Sequence, residues 1–329
     1  MTWFIQASAA VYLASGLGAL LGLLLPSARL LRGAVWGLGL ATVIASLEGL
    51  HWFLDLAAHF RPHLLVLWLV GSGITLALRS WRFFGATLLV MGWLGWGLVG
   101  APAPPEGPGS VAHLMHVNVQ MNAPDHGPLV RQLEDARPDI VSLVEVDEAW
   151  MESLTQGLDY PYVESAPRSD FLGLGLMSRH PIRSFDVVDV VPGLPLVHAT
   201  VEVERSLVPI TILHVLPPIR ASWARSQAET LALLAKHEPP NPGRWLVCGD
   251  FNATPWSAVF RRFASASGLA PASYGGALEG TWPTGMPWAR LPIDHCLLGP
   301  DLTQRRAYVG GALAGDHLPI HLHFDITVR

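Results

Sequence analysis

An all-α bundle of transmembrane helices followed by an α/β domain is the fold class this sequence predicts, and three observations predict it. The 329-residue chain is 50% hydrophobic and only 14% charged, too apolar for an ordinary soluble protein of this length. The excess lies before Pro104, where from Trp3 to Ala101 the only charged residues are Arg29, Arg32, Glu48, Asp55, Arg61, Arg79 and Arg82. After it the composition becomes globular, with short β-type runs that end in polar residues and helical spacing between them.

Lipid offers no partner to an exposed backbone amide, so a span needs about 20 mostly apolar residues in a helix. Four segments approach that length, at 3–25, 34–54, 63–78 and 83–101, broken by Pro26 with Ser27, by the stretch 59–62 and by 79–82. They are apolar all round, whereas the core helices of a soluble domain keep a polar face. Residues 1–101 are therefore expected to form a membrane anchor of about four helices that contacts the lipid bilayer. Positive charge is retained on the cytoplasmic side. Arg29 with Arg32, and Arg79 with Arg82, mark two loops that share a side if four spans cross. The chain is thus expected to be a multi-pass protein of a bacterial inner membrane, with everything after the anchor extracytoplasmic. Glu48, inside the second segment, reads equally as a functional intramembrane carboxyl or as one that faces the bundle.

Residues 102–110, rich in Pro and Gly, read as a stiff linker. Residues 111–329 then form one domain with enough chain for a sizeable core. That domain carries more Asp and Glu than Lys and Arg, so it lacks the cationic footprint of a tight, sequence-blind nucleic-acid binder. No protein partner is implied. The two cysteines, Cys248 and Cys296, sit in apolar strand-like runs and are expected as buried free thiols, although the predicted compartment permits a disulfide.

Within the domain, strands are expected at 113–119, 140–144, 174–178, 208–214, 245–248, 293–298 and 320–324, and helices at 128–136 and 222–235. The residues able to do chemistry stand where those strands end, at the junction of rigid scaffold and adaptable loop. The first strand finishes at Asn118. The second runs into Glu145, an oxygen donor of the kind that suits a hard cation. After the run at 245–248 comes Gly249-Asp250-Phe251-Asn252-Ala253-Thr254-Pro255. Asp250 can orient or deprotonate a water there, and Asn252 can donate an amide N–H to charge building on an oxygen. The same spacing also makes an Asx turn. Ile293-Asp294-His295 and Gly315-Asp316-His317-Leu318-Pro319-Ile320 complete the set. A carboxylate that holds an imidazole fixes its tautomer and keeps it cationic, a service Asp294 can perform for His317. The chain has 14 histidines, and His116, His180, His295 and His321 read as structural or surface residues.

Taken together, Asn118, Glu145, Gly-Asp-Phe-Asn, Thr281-Trp282, Ile-Asp-His and Gly-Asp-His-Leu-Pro resemble the endonuclease/exonuclease/phosphatase superfamily in order and spacing. The resemblance covers nearly all of the second domain. Ser178-Arg179-His180-Pro181 and Leu213-His214, followed by Pro217-Pro218, support it. It implies a DNase I-like four-layer α/β sandwich, two mixed β-sheets packed face to face with helices outside, and a cleft that holds Mg²⁺ or Mn²⁺. It further implies that Glu145 and Asn118 hold or hydrate the metal with Asp316 nearby. Asp250 would activate water and Asn252 would stabilise the transition state. His317, paired with Asp294, would bind the scissile phosphate, and His214 would contact phosphate and protonate the leaving group. Thr281 and Trp282 would shape the loop.

The sequence departs from the family at two places. Phe171-Leu172-Gly173 stands where many members brace the second histidine with a polar side chain, which leaves Asp170 as the nearest candidate to brace His214. Gln120 replaces an aspartate common in DNA-repair members. The expected activity is metal-dependent hydrolysis of a phosphate ester, with a nuclease and a lipid-headgroup phosphodiesterase as substrate-level alternatives. A catalytically silent binding module that keeps the fold, and a bundle whose Glu48 serves transport, are the readings from other classes.

Overall fold

The computed structural model describes residues 28–47, 49–77, 81–96, 98, 112–275 and 279–327. The expected first span at 3–25, Glu48 and the linker lie outside them. The chain divides into two compact units, the early helices falling in one and the strands in the other.

Four helices are described in the first unit: α1 (Ala28–Ala45), α2 (Trp52–Ala58), α3 (Arg61–Ala77) and α4 (Trp81–Trp96). The expected span at 34–54 is broken. The chain leaves the helix after Ala45, Gly49 adopts φ 82°, and extended His51 starts a new helix by accepting a hydrogen bond from the Phe53 amide. The break expected at 59–62 narrows to two residues because Pro62 falls in the first turn of α3, where no N–H is needed. Arg61 is buried, and its guanidinium donates to the Ala45 carbonyl at the C-terminal end of α1, where a cation is favoured. Among the described residues no single helix is long and apolar enough to cross a membrane, so the second, third and fourth spans expected from hydropathy are not found there as single crossing helices. Only α2 and α3 together pass that test, as a pair bent by 51°.

The second unit contains two six-stranded mixed sheets. The first has the order β11 (Leu302–Val309), β12 (Ile320–Ile326), β1 (Ala112–Asn118), β2 (Ile140–Val144), β4 (Leu174–Ser178), β3 (Tyr162–Ala166). The second runs β5 (Ile182–Val191), β6 (Leu194–Val203), β7 (Ser206–His214), β8 (Leu246–Asp250), β10 (Asp294–Leu298), β9 (Ala270–Pro271). The central strands are buried on both faces, which is why they read as continuous apolar runs. Ala112 and Leu114 of β1 pack between the sheets with Val197, Ile210 and Cys248. Met115 and Val117 of the same strand point the other way, toward Leu129 and Leu133 of α5 (Gly127–Ala136) and Trp150 and Leu154 of α6 (Glu148–Gly157). Leu231 and Leu234 of α7 (Ala221–Leu234), with Phe260 and Phe263 of α8 (Ala258–Ser267), cover the outer face of the second sheet. Two packed mixed sheets flanked by helices are the DNase I-like sandwich.

Cys248 and Cys296 are not free thiols. β8 and β10 pair antiparallel with these two residues directly opposite one another, and they form a disulfide buried between the sheets. The linear sequence does not give the register that places them on one rung.

Of the histidines on the outer faces of the sheets, His113 and His321 are buried and His198 is half-buried. Burial, with neighbouring imidazoles, pushes His113 down to about 3, His321 to about 4 and His198 to about 4 from an ordinary 6.5. A group whose folded pKa is depressed takes up protons first in the unfolded chain, so stability falls as pH drops below 6.5. Each of the three is expected to cost about 1–2 kcal/mol by pH 5. Urea midpoints of the full chain at pH 7 and pH 5 check this. The midpoint falls on acidification, and replacing His113 or His321 by Gln flattens the dependence.

Candidate active site

Strand ends from both sheets meet at one edge of the sandwich. Asn118 closes β1, Glu145 follows β2, His214 closes β7, Asp250 closes β8 and Asp294 opens β10. Parallel pairing puts Asn118 beside Val144 and His214 beside Asp250, while antiparallel pairing puts Asp294 opposite Asp250. The site follows from register.

Asp250, 1% exposed, is the hub. Its Oδ1 accepts the Asn252 backbone N–H at 2.8 Å, the Asx turn the heptapeptide permits. Oδ2 is thereby turned inward, where Asn118 donates to it at 3.2 Å and the Nε2 atoms of His214 and His317 lie at 3.6 and 3.7 Å. The turn and the chemical reading therefore coexist, one on each carboxylate oxygen. Asn252 has φ 47° and Glu145 φ 62°. Neither has the freedom of glycine, and such strain persists where the surroundings enforce it. Gln227 supplies part of that enforcement by donating to the carbonyls of Phe251 and Asn252 at 3.0 Å each. The Asn252 side-chain amide gives one hydrogen to the Val215 carbonyl and keeps a second. Two glycines let backbones close in, since a Cβ on Gly249 would stand 2.1 Å from the Leu213 carbonyl oxygen and one on Gly173 1.8 Å from that of Val146.

His317 donates from Nδ1 to Asp294 Oδ2 at 2.8 Å, as the Asp-His strings suggest. Burial opposes charge on this imidazole, but Asp294, then Asp250 and Asp316, outweigh it and hold His317 up at about 10. Asp294 is itself buried, and His317 and His116 keep it ionised, well below the usual carboxylate range. Burial, followed by the Asp294 charge, pushes Asp250 up to about 6. His116 belongs to this network, with Nε2 3.7 Å from Asp294 Oδ1 and Nδ1 3.0 Å from the Ser142 hydroxyl. Sequence reasoning set it aside as structural. The available signal was its position two residues before Asn118, on the same face of β1.

His214 is braced differently from the sequence expectation. Its Nδ1 donates to the main-chain carbonyl of Phe171 at 2.8 Å, while Asp170 pairs with Arg168 and accepts the Leu172 amide. Asp170 holds the loop, and the loop holds the histidine. A carbonyl can only accept, so Nδ1 carries the hydrogen and Nε2 is left facing Asp250 and, at 3.8 Å, Glu145.

Asn118 donates to Glu145 Oε1 at 2.9 Å as well as to Asp250, so two carboxylates converge on one amide. A donor set of oxygens with surplus negative charge fits a hard divalent cation. Asp316 stands on the other side, accepting from the Trp282 indole at 3.1 Å with its second oxygen 4.0 Å from His317 Nε2. Among the described residues, Asp250, Asp294 and His317 also bring ligand atoms within 4.8 Å of one another. A cationic imidazole has no lone pair to offer, so that trio reads as an ion-paired triad, and the oxygen set around Glu145 is the better cation seat. Thr281 accepts from the amides of Ile293 and Asp294, which fixes the loop entering β10.

Comparison with known proteins agrees with this architecture. The model of the Endonuclease/Exonuclease/phosphatase family matches residues 115–317. No curated protein matches the sequence. Among solved structures, the catalytic domain of human Nocturnin with a bound sulfate anion is 21% identical, over 66% of this chain and 94% of that one, with a TM-score of 0.54. D. rerio TDP2 complexed with single-strand DNA product is 17% identical over 65% and 98%, with a TM-score of 0.56. Mannosyl-6-phosphatase of Bacteroides thetaiotaomicron is 14% identical over 65% and 99%, with a TM-score of 0.53. At these identities the likeness shows the fold alone.

Proposed function

The chain belongs to the Endonuclease/Exonuclease/phosphatase family, whose members hydrolyse phosphoester bonds, and from that premise we propose that it hydrolyses a phosphodiester or phosphomonoester by water attack directed from Asp250. The observation that carries this reading is the convergence on Asp250 Oδ2 of Asn118, His214 and His317.

In this reading Asp250 accepts the proton of the attacking water, because Oδ1 is committed to the Asn252 backbone N–H and Oδ2 is the oxygen turned toward Asn118, His214 and His317. His317, held cationic by Asp294, binds a non-bridging oxygen of the phosphate. The remaining Asn252 amide hydrogen steadies charge on the same group. His214, its Nδ1–H fixed by the Phe171 carbonyl, exchanges a proton with the leaving oxygen through Nε2. Glu145 and Asn118 would hold Mg²⁺ or Mn²⁺, with Asp316 assisting from the His317 side. When bound, the ion supplies neutralisation of phosphate charge.

The first unit anchors this domain to a bilayer. Supporting that reading, Leu40, Leu50, Phe53, Leu69, Leu89, Trp93 and Trp96 are exposed apolar side chains on or beside its helices, and the bent α2–α3 pair has the composition of a span. The same reading sets the second unit outside the cytoplasm. The buried disulfide favours the same side, since such bonds persist in oxidising compartments.

The test is hydrolysis by the full chain in detergent of bis-p-nitrophenyl phosphate, plasmid DNA, RNA, sphingomyelin and phosphatidylinositol phosphates. Turnover with Mg²⁺ or Mn²⁺ is expected, falling at least about 100-fold when EDTA removes the ion. The best substrate separates nuclease from lipid-headgroup phosphodiesterase. Absence of turnover on the whole panel by folded, metal-loaded protein would favour the silent binding module.

A further inference from the structure

Asp250 and Asp294 face each other across the antiparallel β8–β10 pair, at the rung where β8 ends and β10 begins. Both side chains are buried, and like charges directly opposite one another on one face of a sheet push the strands apart. A strand end also has fewer neighbours to resist that push. One same-face position inward along each strand stand Cys248 and Cys296, opposite one another and joined covalently. We propose that the Cys248–Cys296 disulfide is a positioning bond that holds the Asp250 and Asp294 carboxylates in their opposed places against mutual repulsion. The inference rests on the proposed role of those carboxylates, and it assigns the two cysteines a part in the reaction that sequence reading did not give them.

Three features make the clamp specific to this end of the pair. The apolar core around the disulfide is already continuous, with Cys248 and Cys296 packed among Leu246, Leu298, Ile210 and Ile212, so the bond is not filling a gap in the fold. Beyond the rung, the chains leave the ladder at once, after the Phe251 amide donates to the Ile293 carbonyl at 2.9 Å. The His317 imidazole lies against both carboxylates and offsets part of their charge, and His116 lies 3.7 Å from Asp294. Those imidazoles are side-chain partners, whereas the disulfide constrains backbone. It therefore fixes the carboxylate spacing that His317 and the attacking water must meet, and a misplacement of about 1 Å in such a site costs about 100-fold in rate.

The experiment compares the full chain with the double variant Cys248→Ala/Cys296→Ala. Alkylation and mass spectrometry of the denatured wild type first count free thiols. None is expected, and two free thiols in active enzyme would overturn the proposal. In the double variant kcat is expected to fall about 10- to 100-fold, with KM changed less than about threefold. Amide hydrogen exchange is expected to quicken at Phe251, Asp294 and His295 while β1, β2 and β6 keep their protection. Adding Asp294→Asn, which removes the repulsion, restores the lost protection. A purely structural crosslink would instead speed exchange uniformly and leave kcat intact below the unfolding transition, and either result would overturn the proposal. If the alanine pair does not fold, Cys248→Ala/Cys296→Val, which keeps more of the core volume, is measured in its place. Failure of both to fold would make the bond a global support and count against the clamp. The exchange readout needs no substrate, so a wild type without phosphoesterase activity would defeat the functional reading while the clamp is still judged by exchange.

Discussion

Replacing Asp250 by Asn is expected to lower kcat/KM about 10²- to 10⁴-fold while leaving the protein folded. The substitution is nearly isosteric, and the Asn side-chain oxygen can still accept the Asn252 amide that Asp250 Oδ1 accepts now at 2.8 Å. What disappears is the inward-facing oxygen that can take a proton. The variant also removes one of two opposed carboxylates, so its thermal midpoint should match or exceed that of the wild type. Steady-state rates on bis-p-nitrophenyl phosphate, with a thermal melt of each protein, decide the matter. An active variant within about tenfold of wild type would take Asp250 out of the proposed chemistry.

The second large effect is expected at His317. His317→Gln should cost about 10²- to 10³-fold in kcat, because the cation that meets the phosphate is gone. It should also cost about 3 kcal/mol of stability, because Asp294 is left buried without its strongest partner. These two losses separate in a double variant. His317→Gln with Asp294→Asn carries no buried charge at that position, so stability returns while activity stays lost. Denaturant midpoints and rates measured on the three proteins check this. Recovery of both together would mean that His317 acts only as a structural counter-ion.

Much of the site was legible because its residues stand at strand ends or within a few residues of them, and the sequence announces strand ends by an apolar run meeting a polar residue. Asn118, Glu145, Asp250, Asp294 and His317 all came from that signal, and the structure brings them together. Register was not legible. It places Cys248 opposite Cys296, and it turns His116 toward Asp294. The brace of His214 was hidden for another reason. Sequence patterns register side chains, and here a main-chain carbonyl at Phe171 does the work that Asp170 was expected to do.

The fold divides in the same way. Strands buried on both faces, such as β2 and β8, were visible as unbroken apolar runs. The half-exposed β5 and β11, with bulged pairing to their neighbours, were not. Helix α6 escaped notice because it follows Glu145 within three residues and is capped by Asp147, in a stretch dominated by the candidate metal ligand. In the first unit, hydropathy averaged over 34–54 concealed a break made by local backbone geometry at Gly49 and by the capping of the next helix at His51.

The central claim is that water attacks phosphorus at this site, and hydrolysis in ¹⁸O-labelled water tests it most directly. Wild-type protein turning over bis-p-nitrophenyl phosphate with Mg²⁺ or Mn²⁺ is expected to place one ¹⁸O in the p-nitrophenyl phosphate product and none in p-nitrophenol, with Asp250→Asn slowing incorporation in step with turnover. Label in the phenol, or undiminished incorporation by the variant, would contradict it.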